Sequence, residues 1–198
     1  MTEKQTEQKI LDAAREIFMR KGMHGAKMQE IADEAGINKA LLHYYFRSKD
    51  KLFDRIFQEV FGQLFPKLQI LVDATKSIEE RVQIFVKEYM TVMQQNPFLP
   101  LFILHEIQRD PDSLHERFTS TGLQPEIVMQ GMSASLDMTV DEVKMFLVNM
   151  LSLCIFPFAA KPLLSRILYA GDDKAYDSFL EERKLSVPEF ILNSLKNQ

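Results

Sequence analysis

Apolar side chains recur over the first fifty positions with the spacing of short helices. Ile10, Ala14, Ile17 and Phe18 stand at i, i+4, i+7 and i+8, which lines one helix face. Thr2-x-x-Gln5 offers a cap at its start. Arg20-Lys21-Gly22 offers an end, where cations meet the carboxyl-end dipole and glycine can turn left-handed. Met28, Ile31, Ala32 and Ala35 make a second, shorter stripe that stops at Gly36. Asn38 is an N-cap residue for about two turns from Lys39 to Tyr45, before Arg47-Ser48 opens another helix. Two short helices around Ala35-Gly36-Ile37 predict a helix-turn-helix, whose second helix can enter a major groove. Its outward face carries Asn38, Lys39, Ala40, His43 and Tyr44, leaving Leu41, Leu42, Tyr45 and Phe46 mostly to packing.

From Leu52 onward, Phe53, Ile56, Phe57, Val60, Phe61 and Leu64 continue a connecting helix to about Pro66. It shares its first residues with the head and buries its later ones elsewhere, so a shift at its far end can reorient the head. Further helices are expected at 78–95, 98–109, 113–120, 125–136, 139–160 and 173–196, punctuated by Asn96-Pro97 and Asp110-Pro111. No strand-like alternation stands out, so the chain is expected to be all-α: a three-helix head over residues 1–53 and a larger helical domain over 54–198.

Charge sharpens this division. Residues 1–53 carry ten Lys/Arg against eight Asp/Glu, whereas the rest carries fourteen against twenty. Between Glu34 and Asp50 there is no acid, and Lys39, Arg47 and Lys49 all fall there, with Lys51 just beyond. Such a stripe suits phosphates, although a basic cluster of four is more often plain solvated surface. Cys154, the single cysteine, excludes an intramolecular disulfide and a thiolate zinc site and fits a reducing, cytoplasmic setting. The amino terminus lacks the apolar run of a secretory signal. The most apolar stretch, 145–160, is sixteen residues interrupted by Asn149, Ser152 and Pro157, short of the about 20 that cross a membrane, so no membrane partner is expected.

The run Gly25-Ala26-Lys27-Met28-Gln29-Glu30-Ile31-Ala32-Asp33-Glu34-Ala35-Gly36-Ile37-Asn38-Lys39-Ala40-Leu41-Leu42-His43-Tyr44-Tyr45-Phe46-Arg47-Ser48-Lys49-Asp50-Lys51-Leu52 resembles the DNA-binding signature of TetR-family transcriptional regulators. It keeps Ile-Ala, Ala-Gly-Ile, aromatic-aromatic-Phe and Ser-Lys-x-x-Leu at the family's spacing; the likeness covers about residues 6–53. The resemblance implies DNA contacts from Lys27 and Met28 at the start of the second helix, from Asn38, Lys39, Ala40, His43 and Tyr44, and from Lys49 toward a phosphate. Two positions depart from the family pattern. Lys27 replaces the usual capping threonine or serine, and His43 replaces a phosphate-contacting tyrosine; an imidazole can donate to phosphate and, if protonated, add charge.

The larger part holds most of the fifteen phenylalanines and eleven methionines, which fill irregular cores and also line pockets for apolar guests. Tyr89, Met93, Phe102, His105, Gln108 and Met132 are the candidate ligand contacts, with an ordinary helical core as the alternative for each. Residues 139–160 present Val143, Phe146, Leu147, Met150, Leu151, Cys154, Ile155 and Phe158, more apolar surface than one neighbour covers. Residues 173–196 add Phe179, Leu180, Phe190, Ile191 and Leu195, with Pro188 able to kink or restart that helix. A two-fold dimer bundle covers both helices, and the resemblance implies the same assembly. Its expected contacts are Phe146, Asn149, Met150, Leu153, Phe179, Phe190 and Ile191, with Asn149 bonding either across the two-fold or locally.

The expected function is a dimeric, ligand-responsive DNA-binding regulator, a repressor released from a palindromic operator by a small, largely apolar molecule. The alternative is a helical protein-interaction module with weak or lost DNA binding. An enzyme is not expected. His24, His43, His105 and His115 lack metal-site spacing, there is no Gly-x-Ser-x-Gly or phosphate-cradling glycine loop, and Cys154 lies in an apolar helix. No metal and no cofactor are expected.

Overall fold

A computed structural model describes residues 3–120, 122 and 124–196, so the expected cap at Thr2 lies outside the described residues. The described residues form eleven α-helices and one 3₁₀ turn, Ile70–Val72, with no strand among them. The helices are α1 Glu3–Gly25, α2 Met28–Glu34, α3 Lys39–Tyr45, α4 Lys49–Gln69, α5 Ile78–Gln95 and α6 Leu99–Arg109. They continue as α7 Pro111–Ser120, α8 Pro125–Leu136, α9 Val140–Ala159, α10 Lys161–Tyr169 and α11 Asp173–Lys196. The all-α expectation is met.

Packing divides the chain into two units, Met1–Gly62 with Leu101–Arg117, and Gln63–Pro100 with Phe118–Gln198. The division falls within α4, within α6 and within α7. The first unit therefore contains the expected head, the start of α4 and a segment that begins about forty residues further along. Its core is made by Ile10, Ala14, Ile31, Ala32, Leu42, Leu52, Phe53 and Ile56, none of them accessible to solvent. Phe53 meets Phe18 edge-on at 5.9 Å between ring centroids and stacks on Phe102 at 4.2 Å, which fastens the 101–117 segment to α1 and α4.

Within the second unit α5 is the central helix. It packs on α9, α11 and the 3₁₀ turn, while α8 packs on α9 and α10 on α11. Val82, Phe85, Val86, Met90 and Met93 on α5 are buried in the core of this unit, as are Leu71, Met132, Val143, Met150, Cys154 and Tyr176. Tyr176 anchors the base of α9 by donating its hydroxyl to the Pro157 carbonyl at 2.6 Å.

Three boundaries differ from the sequence expectation. α4 passes Pro66 and ends at Gln69, because an internal proline removes one backbone bond and the flanking turns hold the rest. α11 likewise runs unbroken through Pro188. α10 lies where the sequence predicts no helix: Lys161-Pro162 reads as a break, yet Pro162 stands in the first turn, where its missing N–H has no intrahelical acceptor to lose. α9, at 20 residues, is longer than the sixteen-residue run and has the length and apolarity to cross a membrane. Val143, Phe146, Met150, Cys154 and Phe158 instead bury one side of it in the core of its unit.

The turn between α2 and α3 is built locally. Gly36 takes φ of 65° while its N–H bonds the Asp33 carbonyl at 3.1 Å and the Ile37 N–H bonds Ala32 at 3.0 Å, the paired bonds that close a helix through a left-handed residue. A Cβ at Gly36 would touch nothing within 4 Å, so the penalty for Gly36→Ala is conformational alone. Chemical denaturation should show a loss of about 1 kcal/mol for Gly36→Ala, and less for Gly36→Asn; no loss for either would mean the turn tolerates another geometry.

Candidate nucleic-acid interface

α3 stands on one buried residue. Leu42 is fully enclosed and Phe46, just past the helix, nearly so, whereas Asn38, Lys39, Ala40, His43 and Tyr44 are exposed. The helix starts as expected, with Asn38 Oδ1 accepting the Leu41 N–H at 2.8 Å. Tyr44 is 72% exposed, an unusual position for a large ring, and is propped edge-on against Tyr45 at 5.5 Å. Tyr45 is half-buried and donates its hydroxyl to the Glu3 carbonyl, tying α3 to the start of α1. Leu41, expected to pack, is 36% exposed and shares the open side.

His43 Nδ1 lies 3.3 Å from the Arg47 carbonyl. A carbonyl oxygen only accepts, so in this contact Nδ1 carries the proton and the neutral ring offers Nε2 outward as an acceptor. That presentation suits an amino group on a base edge. A phosphate oxygen at Nε2 requires the doubly protonated ring.

Lys27 is the N-cap of α2 and its side chain makes no capping bond, as a group with no acceptor must. The Glu30 carboxylate closes the turn from the other side by accepting the Lys27 N–H at 3.4 Å. Lys21 holds Glu30 at 2.9 Å, and Arg20 holds Glu34 at 2.6 Å, so two ion pairs clamp α1 to α2. The Lys21 ammonium keeps the Glu30 carboxyl below its ordinary value. Met28 is half-buried. Lys49 is half-buried too and donates to the Ala26 carbonyl at 3.0 Å, so it fastens the start of α4 to the loop before α2. Arg47 and Lys51, in the basic stripe but outside the residues assigned to DNA, are exposed.

The candidate ligand residues fall in both units. Tyr89, Met93 and Met132 are buried in the second, where desolvation raises the Tyr89 phenol well above its ordinary value. Phe102 is buried in the first, stacked on Phe53, and His105 and Gln108 are exposed there. Burial pushes the Cys154 thiol up to about 12, which leaves it unreactive at neutral pH.

The candidate dimer residues also separate. Phe146, Met150 and Ile191 are buried by their own chain, because the apolar stripe they belong to faces the core of the unit. Leu153 and Phe179 are half-buried, while Asn149 and Phe190 are exposed. Sequence reasoning missed the other side of α9, where Met145, Val148 and Phe156 are each at least 60% exposed. Leu163, Ile167 and Leu168 of α10 and Leu185 of α11 are exposed to a similar degree. The signal was present in α9 as apolar residues all around the helix, more than one buried face requires.

The profile of the bacterial regulatory proteins of the tetR family matches residues 10–56, which span α1 to the start of α4. Over 190 residues, covering 91% of each chain, the sequence is 25% identical to a probable HTH-type transcriptional regulator, YttP, of Bacillus subtilis. It is 31% identical over 74 residues, 37% of each chain, to the HTH-type transcriptional repressor KstR2 of Mycobacterium tuberculosis. Its fold is similar to that of the fatty acid degradation regulator FadR from Bacillus halodurans, with a TM-score of 0.62 and 17% identity over 92% of this chain and 94% of that one. These relatives are regulators of transcription rather than enzymes. Residues 10–56 thus carry the helix-turn-helix of the bacterial regulatory proteins of the tetR family, and over nearly its whole length the chain is similar to DNA-binding transcriptional regulators.

Proposed function

We propose that the protein is a cytoplasmic homodimeric repressor that leaves a palindromic operator when a small, largely apolar molecule binds. The observation that carries the reading is the seating of α3, with Leu42 enclosed beneath and Lys39, Ala40, His43 and Tyr44 turned outward beside the exposed cap Asn38. Lys27, Met28 and Lys49 complete the contacts, with the Lys49 ammonium held at the start of α4 by its bond to the Ala26 carbonyl. The repressor named among the relatives supports the direction of control, and the fatty acid regulator of similar fold supports an apolar effector. Tyr89, Met93 and Met132 are its contacts in the second unit, and Phe102, His105 and Gln108 respond from the first. Because α4 and α6 each contribute to both units, an effector that favours one packing of the second unit alters the strain carried into the head.

The test is selection of bound duplexes from a random pool, followed by affinity measurements against salt. A recovered palindrome with a steep salt slope is the expected result. Lys39→Ala should weaken binding by about 1–3 kcal/mol and relax base preference in each half-site, whereas Lys49→Ala should weaken all sequences similarly and reduce the salt slope by about 1. Parental affinity in both variants would remove the assigned face, and salt-independent association with protein partners alone would favour the interaction-module reading.

A further inference from the structure

Arg81 on α5 is a buried charge with no counter-charge among the described residues. The residue is 4% exposed, and no carboxylate lies within ion-pair distance of it among the described residues. Buried guanidinium groups ordinarily meet a carboxylate, because desolvating an unpaired charge is costly. Here Nε donates to the Lys76 carbonyl at 2.9 Å, and Nη1 to Ser135 Oγ at 2.8 Å and to the Leu71 carbonyl at 3.4 Å. Nη2, with two N–H groups, has no partner among the described residues. Unlike Nε of Arg15 and of Arg183, it is not sealed from solvent.

Arg81 lines a pocket of about 580 Å³ within the second unit, a size that suits small-molecule sites. Ile78, Leu136, Met138 and Leu195 supply apolar wall. The other charges are largely spoken for. Lys76 is paired with Asp73, whose carboxyl that ammonium and Thr75 hold down at about 2, and the Glu142 carboxylate accepts the N–H and hydroxyl of Thr139. Asp137 and Glu142 still place negative charge among the lining residues, which opposes a dianion such as a phosphate monoester far more than a single carboxylate.

We propose that this pocket binds a monocarboxylate with an apolar tail, its carboxylate seated on Nη2 of Arg81. None of the candidate effector residues lines it, so it is a separate site, and its occupancy does not depend on the DNA-binding reading.

The experiment compares sodium octanoate with 1-octanol, the same tail without the charge, by calorimetry on the full-length protein at pH 7. Octanoate should bind one per chain and more tightly than octanol by about ten- to a hundredfold, the worth of a charge-assisted hydrogen bond. Arg81→Met, checked for folding by circular dichroism, should erase that discrimination. Met138→Trp, which fills the pocket and leaves Arg81 in place, should abolish octanoate binding and so tests the site even if Arg81→Met does not fold. Equal affinity for octanoate and octanol, octanoate binding that survives Met138→Trp, or no binding up to about 10 mM would each overturn the assignment.

Discussion

Phe53→Ala should lower the stability of the head by about 3–5 kcal/mol and remove operator binding with it. Phe53 is fully buried, edge-on to Phe18 and stacked on Phe102, so truncation opens a cavity where α1, α4 and α6 meet. Neighbouring rings cannot close such a gap without moving the helices that carry them, which is why aromatic truncations stand among the largest single-residue losses. A domain has only about 5–15 kcal/mol in total, so α3 would lose the support that presents its outer face. Urea denaturation followed by circular dichroism measures the first part, and fluorescence anisotropy on a labelled operator the second. Phe102→Ala, at the other side of the stack and 9% exposed, should behave similarly, and the double variant should lose less than the sum because the two rings share one contact. A loss below about 1 kcal/mol for Phe53→Ala would mean that the head does not rest on this ring.

If the proposed two-fold assembly uses the outer face of α9 and α10, Phe156→Glu together with Leu168→Glu should leave a monomer and lower operator affinity roughly 10²–10⁴-fold, because each head would then bind its half-site unaided. Both side chains are about 60% exposed in the single chain, and both belong to the outer apolar face of the second unit. Large apolar side chains this exposed are unfavourable in water unless another surface covers them, and a two-fold assembly covers the same residues on both partners. Carboxylates placed there would meet each other across the axis without counter-charges. Sedimentation and anisotropy on the same samples give the two readouts. Unchanged mass and affinity would place the dimer contact elsewhere. Phe146 cannot serve this test, since it is buried in its own unit and its replacement would disturb the fold first.

The two predictions differ in how much of their basis could be read along the chain. Phe53 is apolar at a helical spacing and was expected in the connecting helix, but its stacking on Phe102 joins positions far apart in sequence. The outer face of α9 is a harder case. Val143, Phe146, Met150 and Cys154 form as plausible a stripe as Met145, Val148 and Phe156, and periodicity cannot tell which stripe the chain covers and which it leaves open. α10 shows the same ambiguity at a boundary, because a proline after a helix resembles a proline that begins one.

Local chemistry was legible because its causes lie within a few residues. The Asn38 cap, the left-handed Gly36, the failure of Lys27 to cap and the burial of Leu42 beneath an outward Lys39, His43 and Tyr44 all follow from side chains and spacings that α2 and α3 contain. The helical class, the helix-turn-helix and its outer face could therefore be read along the chain. Four features arise only on folding: residues 101–117 pack with the head, the Lys49 ammonium bonds the Ala26 carbonyl, α9 turns Phe146 inward and Phe156 outward, and Arg81 is buried with no carboxylate beside it among the described residues. The physical reason is common to all four. Hydrogen-bonded turns are completed by neighbours in the chain, whereas burial and charge pairing depend on which distant surfaces meet, and several arrangements of similar apolar area compete for that outcome.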